Sequence, residues 1–217
     1  TVVGHTAFRT ADAGESDNVV IGRAAGYSIN HASSDQNVII GSAAGTGGAA
    51  EFSNNIAIGF AALNSTGTNT VSGQIAIGTE ALTSLTSGEY NVAIGHQAMT
   101  TETQGDRNTA VGYQALKDQN GVNGEVHNTA VGYLAGHNIT TGKSNTLLGS
   151  EVGTSLTTAS QSICIGRTAG NTISTGNQNI AVGFGAISNA TTTGDNNIAV
   201  GANAGNDLTS GYHNIFM

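Results

Sequence analysis

Proline and tryptophan are missing from this 217-residue chain, and cysteine occurs once, as Cys164. The lack of proline excludes a collagen triple helix, and a single cysteine excludes a disulfide scaffold. Charge is scarce, with 9% Asp, Glu, Lys and Arg against about 25% in typical soluble domains. Six basic residues against 14 acidic ones leave a formal net charge of -8, with no basic cluster to neutralise phosphates, so nucleic acid is not an expected partner. No run approaches the roughly 18 apolar residues of a membrane helix, so no membrane insertion is expected of this segment. Aromatics are only 5%. Abundant instead are 32 glycines, together with many Asn, Thr and Ser, a composition that suggests disorder until the placement of the apolar residues is considered.

Those residues fall on a lattice. The unit is Asn, three mostly apolar residues, Gly, two variable residues, a small residue, and then Gly or a larger apolar side chain. The Asn column comprises Asn18, Asn37, Asn55, Asn91, Asn108, Asn128, Asn145, Asn179 and Asn197, with Gln74 and Ser162 as exceptions. The Gly column comprises Gly22, Gly41, Gly59, Gly78, Gly95, Gly112, Gly132, Gly149, Gly166, Gly183 and Gly201. A partial copy lies at Val2 to Gly4 and another at Asn214 to Met217, and successive motif glycines are 17 to 20 residues apart. That period is too short for helix-pair repeats or propeller blades. Runs of three or four residues rich in Val, Ile and Thr favour strands. Thr-Gly and Ser-Gly pairs between them, such as Thr141-Gly142 and Thr175-Gly176, read as turns in which glycine supplies positive φ.

The expected fold is therefore all-β: a parallel β-solenoid of about twelve 17–20 residue coils, forming one repeat domain over residues 1–217. Coils stacked at about 4.8 Å would make a rod on the order of 55–60 Å long. The Asn column is expected at a corner as a ladder of side-chain amides, and the Gly column where the chain bends and no Cβ fits. Strand alternation puts the first and third residues after the Asn on one face and the middle residue on the other. Taking the larger residues as the filling, Ile56 and Ile58 or Val92 and Ile94 point inward. The middle alanines (Ala57, Ala76, Ala93, Ala110) then face out, as a flat stripe for contact with another chain. A thin lone rod buries little per coil, so an obligate oligomer is expected.

Asn-Thr-Ala-Val-Gly-Tyr-Gln-Ala-Leu at 108–116, its near copy from Asn128 to Gly136, and the Thr-Gly-x-x-Asn spacers resemble two related groups. One is the repeat region of bacteriophage tail fibres. The other is the head repeats of YadA-type trimeric autotransporter adhesins. The resemblance covers essentially the whole chain. It implies a left-handed β-roll, three chains side by side as a homotrimer, and an extracellular place on a virion fibre or bacterial cell surface. It further implies a segment of a longer fibre that meets a host-surface glycan or protein. Coils longer than the adhesin type place the phage reading ahead of the bacterial one.

Chemistry is sparse. His5, His31, His96, His127, His137 and His213 form no HxH or HExxH, and no cysteine pair exists for zinc, so no metal or cofactor is expected. Cys164 stands where other copies carry Ala and reads as a packed residue. Asp106, Glu102 and Glu125 are the carboxylates to weigh for a glycosidase, but they sit in turns of different geometry, and no enzyme is expected. Asp195-Asn196-Asn197 and Asp106-Arg107-Asn108 hint at calcium turns, with ordinary turn chemistry the simpler reading. Recognition is the better prospect. The residue after each motif Gly varies, and His96, Tyr113 and Tyr133 should form a ladder about 5 Å apart. Such rings either stack on sugars or shield the roll. The segments Lys117 to His127 and Asn64 to Gly73 are the best protruding loops. The leading expectation is a structural fibre segment that extends or presents a receptor-binding region. An adhesin head is the alternative, and an ice-binding solenoid or a polysaccharide depolymerase are more distant ones.

Overall fold

A computed structural model describes residues 1–11, 14–48, 50–64, 67, 69–120 and 124–217. Among these there is no helix, and the architecture is a parallel β-solenoid. The main sheet has thirteen strands. Each of the eleven complete motif copies contributes one, and the partial copies add the first and last. Pairing follows chain order and is parallel throughout, always in motif register: Ile56, Ala57 and Ile58 face Ile75, Ala76 and Ile77, which in turn face Val92, Ala93 and Ile94. Two short second sheets, Phe52–Ser53 with Val71–Ser72 and Gly105–Asp106 with Gly124–Glu125, pair the segments that lead into the Asn corner.

Register is held by the Asn column, which is buried as expected. The side-chain oxygen of each residue accepts the backbone N–H of its counterpart one coil on. Asn128 accepts from Asn145 at 2.9 Å, and Asn145 accepts from Ser162 at 3.0 Å. The amide nitrogen donates to a carbonyl in the next coil's turn, as from Asn128 to Gly142 O at 2.7 Å and from Asn179 to Gly194 O at 2.8 Å. The two exceptions preserve the ladder, since Gln74 accepts from Asn91 N at 3.2 Å and Ser162 from Asn179 N at 3.3 Å. One side chain thus satisfies a strand N–H and a turn carbonyl that burial would otherwise leave unpaired.

The Gly column also behaves as expected. At Gly166, φ is +125°, and a Cβ would lie 2.7 Å from the carbonyl oxygen of Gly183 in the next coil. The Thr-Gly turns differ from expectation. Gly142, Gly176 and Gly194 do not have positive φ; a Cβ there would strike the next coil's carbonyl, so close approach is what demands glycine. Positive φ falls instead on the residue before each Asn, including Arg107 (57°), Ser144 (58°) and Asn196 (59°).

The assignment of faces is reversed from the expectation. The middle column is fully buried, with Ala57, Ala76, Ala93, Ala110, Ala130, Ala181 and Ala199 inside the coil, so there is no outward alanine stripe. The first and third residues, Ile56 and Ile58 or Val92 and Ile94 among them, form the half-exposed outer face. Size decides this. The coil is thin, and the residue six positions after the middle one comes from the opposite wall. Where the middle residue is large, that position is Gly: Val20 with Gly26, Ile39 with Gly45, Leu147 with Gly153, Cys164 with Gly170. Where it is Ala, the position carries Leu63, Leu82, Met99, Leu116 or Ile187. Two coils pair Ala with Gly, and neighbours fill them: Leu147 and Leu116 close on Gly136, and Phe216 closes on Gly205.

Two outcomes follow for stability in denaturant titrations. Gly166→Ala forces a strained φ and a clash with backbone, and should cost about 2–4 kcal/mol. Leu147→Ala should cost about 2–5 kcal/mol through the cavity it leaves. Adding Gly153→Leu reproduces the Ala110–Leu116 pairing and should recover most of that loss, whereas Gly153→Leu alone should destabilise.

Candidate functional site

Each strand ends at a motif glycine, and the next five residues turn the corner. The first position after the glycine points out. There His96, Tyr113 and Tyr133 stack as expected, with ring centroids 5.4 and 5.5 Å apart and planes inclined by 13° and 15°. Tyr113 and Tyr133 remain 44% and 50% exposed. The rings cover one another, however, so both faces of Tyr113 are occupied and the ladder cannot stack sugars along its length. Only its two ends offer a face. Beyond Tyr133 the column continues with Ser150, too small to cover that ring.

The second position carries a polar ladder that the sequence reading treated as merely variable. Gln97 donates to Glu80 Oε2 at 2.7 Å, and Gln114 donates to Gln97 Oε1 at 2.7 Å. Leu134 interrupts the ladder, and Glu151 follows it. The fifth position on successive coils holds His137, Thr154 and Asn171. Between the two columns runs a groove of about 460 Å³ lined by Gln114, Leu134, Glu151, His137, Thr154 and Asn171, with Asn138 at its rim. The Oδ1 of Asn171 is buried without a hydrogen-bond partner, and Glu151 enters no ion pair among the described residues. The signal in the sequence was faint: polar residues recurring two and five places after the glycine of successive copies.

Of the carboxylates weighed for catalysis, Asp106 and Glu125 are register partners in the short second sheet but are engaged by different groups, and Glu102 is apart from both. Glu102 is buried inside the coil, at a position where other copies carry Leu85, Ile139 or Leu156. Its Oε1 accepts the N–H groups of Thr103, Gln104 and Gly105 at 2.7–3.0 Å, and its Oε2 accepts from Gln119 at 2.7 Å. Gln119 in turn accepts from Asn128 at 2.9 Å. The hydrogen bonds satisfy the oxygens of a buried carboxyl group. Asp106 accepts Glu89 N–H at 2.8 Å, and Asp195 accepts Asn177 N–H at 2.6 Å, so these turns tie coil to coil. Glu125 pairs with Arg107 on the surface and lies 3.7 Å from His127, while His137 lies 3.8 Å from Asp118. Among the described residues no group of three or more His, Cys, Asp or Glu side chains is placed to hold a metal. Of the two proposed loops, residues 121–123 and 65, 66 and 68 lie outside the described set.

Cys164 is a core residue in the middle column, and burial pushes its thiol from 9.0 up to about 12. No known protein family, curated protein or solved structure matches the chain. Among the described residues no helix is long and apolar enough to cross a membrane.

The raised thiol pKa carries a sign for stability. The unfolded thiol ionises above pH 9 while the folded one stays protonated, so this contribution is complete below pH 9 and is lost as pH rises toward 12. Cys164→Ala should flatten that part of a denaturation-against-pH curve. In the native protein, Cys164 should resist thiol alkylation at pH 8 and react fully in denaturant.

Proposed function

We propose that this chain is a non-enzymatic structural segment of a tail-fibre-like rod, a left-handed β-roll that associates side by side as a homotrimer. It acts outside the cell, where it extends or presents a region that meets the host surface. The observation that carries this reading is the outer face of the main sheet. Two parallel columns run along it, Ile56, Ile75, Val92 and onward in one, Ile58, Ile77, Ile94 and onward in the other, nearly all Val, Ile, Leu or Thr and partly exposed. Leu148, Ile165 and Val200 are 49%, 36% and 42% exposed.

Monomeric proteins seldom present a continuous apolar surface of this length. Each half-exposed Val or Ile keeps back about 1 kcal/mol of the 1.5–3 kcal/mol that complete burial provides. The face repeats at the sheet's own spacing, so a second and third copy present a matching one. This is a stronger basis for association than the alanine stripe first expected, because branched side chains bury more area. The middle column being internal removes the alanines from the interface and leaves the conclusion on a different set of residues.

A trimeric adhesin head is the second reading, favoured by the same apolar columns, and separated from the first only by coil length. An ice-binding face would use these outward columns too, but Thr occupies only Thr109, Thr129 and Thr146 in the first of them and no position in the third-residue column. A depolymerase would need convergent carboxylates, and Glu102, Asp106 and Glu125 lie in separate hydrogen-bonding roles.

Sedimentation equilibrium tests the proposal. The mass should be three times the 21.6 kDa of one chain. Ile77→Glu with Ile94→Glu should break the assembly, because each buries an unpaired carboxylate at the contact. A folded monomer of the unaltered chain rejects the reading.

A further inference from the structure

We infer that the groove bounded by Gln114, Leu134 and Glu151 on one side and His137, Thr154 and Asn171 on the other binds a neutral or amino sugar of a surface glycan. The inference rests on the fibre reading in one respect: self-association through the strand face leaves this corner of the coil to solvent.

Four observations converge on this groove. Its volume of about 460 Å³ falls within the roughly 300–1,000 Å³ of small-molecule pockets. Its polar lining is rich in acceptors. Glu151 brings a carboxylate outside any ion pair among the described residues, and Asn171 brings an Oδ1 that is buried and unpartnered. An unsatisfied buried acceptor costs about 1–3 kcal/mol, and rotation of the Asn171 side chain toward the groove would let a donating ligand recover it. Sugar hydroxyls are such donors, and each also accepts, suiting Thr154 and the amide of Gln114. Leu134, the one apolar side chain to interrupt the Glu80–Gln97–Gln114 ladder, offers the flat contact that a sugar's C–H face needs. On the same coil as Leu134, Tyr133 keeps one ring face uncovered toward Ser150, beside Glu151.

Charge selects among sugars. Glu151 is the carboxylate in the groove's lining; Asp118, 3.8 Å from His137, is offset by Lys117 at the fifth position one coil earlier, so the negative charge that meets a ligand is that of Glu151. Uronic and sialic acids are disfavoured. An amino sugar would gain a charge-assisted bond to Glu151.

Saturation-transfer NMR on the assembled full chain, with methyl glycosides of glucose, galactose and mannose, glucosamine, N-acetylglucosamine and sialic acid, tests this inference. At least one neutral or amino sugar should bind, and sialic acid should not. Glu151→Gln and Asn171→Ala should each weaken binding at least about fivefold, while Ser42→Ala on a distant coil should leave it unchanged. Thermal melting of each variant shows that the fold persists. Binding of none of the sugars, binding of sialic acid as tight as the best neutral sugar, or binding indifferent to both groove substitutions overturns the inference. Sedimentation of the same samples separates the two claims. A trimer that ignores sugars sinks the groove and spares the fibre reading, and a monomer that binds them does the reverse.

Discussion

The cross-coil hydrogen bonding of the Asn column is the constraint on which the rest of this solenoid depends. A strand of three residues has too few ladder bonds to fix its own register, and a one-residue slip would exchange its two faces. The buried side chain at the start of each strand removes that freedom. It grips the next strand at its first N–H and the next turn at a carbonyl, as Asn128 does with Asn145 and Gly142. Losing one such amide leaves a buried donor and a buried acceptor unpaired at once. The substitutions at Gln74 and Ser162 keep the acceptor that the following strand needs.

With register held, every side-chain column becomes a line along the rod, and the interior becomes a problem of cross-section. Opposite walls must add up to a constant width. Large residues at Ile39, Leu147 and Cys164 stand against glycine, and alanine stands against Leu, Met or Ile. The wall that holds Leu85, Ile139 and Leu156 also admits Glu102 and Gln119, whose polar atoms are consumed by turn N–H groups and by Asn128. The same geometry that hides these groups lines up the outer ones. Thus the strand face becomes two apolar ribs, and the corner becomes an aromatic stack beside a polar groove.

This division of labour gives the proposed biology its physical form. Regular columns suit contact with identical neighbours, because any copy of the chain repeats at the same spacing. Irregular columns suit recognition. The positions after the glycine change from coil to coil without disturbing the core, and where Leu134 breaks a ladder a groove of about 460 Å³ opens.

The period, the strands, the parallel stacking, the Asn ladder and the stacked rings of His96, Tyr113 and Tyr133 were all legible in the chain itself, because each is a local pattern repeated at fixed spacing. The groove was not, since its walls come from residues two and five places after glycines of different coils, and only the turn geometry brings them together. Nor was the source of positive φ, which falls on residues such as Arg107 and Ser144 rather than on the turn glycines. Above all, alternation announced two faces but not which of them was inside, as both are apolar. That choice belongs to the tertiary structure. The width of the coil admits Ala57 with Leu63, or Ile39 with Gly45, and leaves no room for the isoleucines on either side.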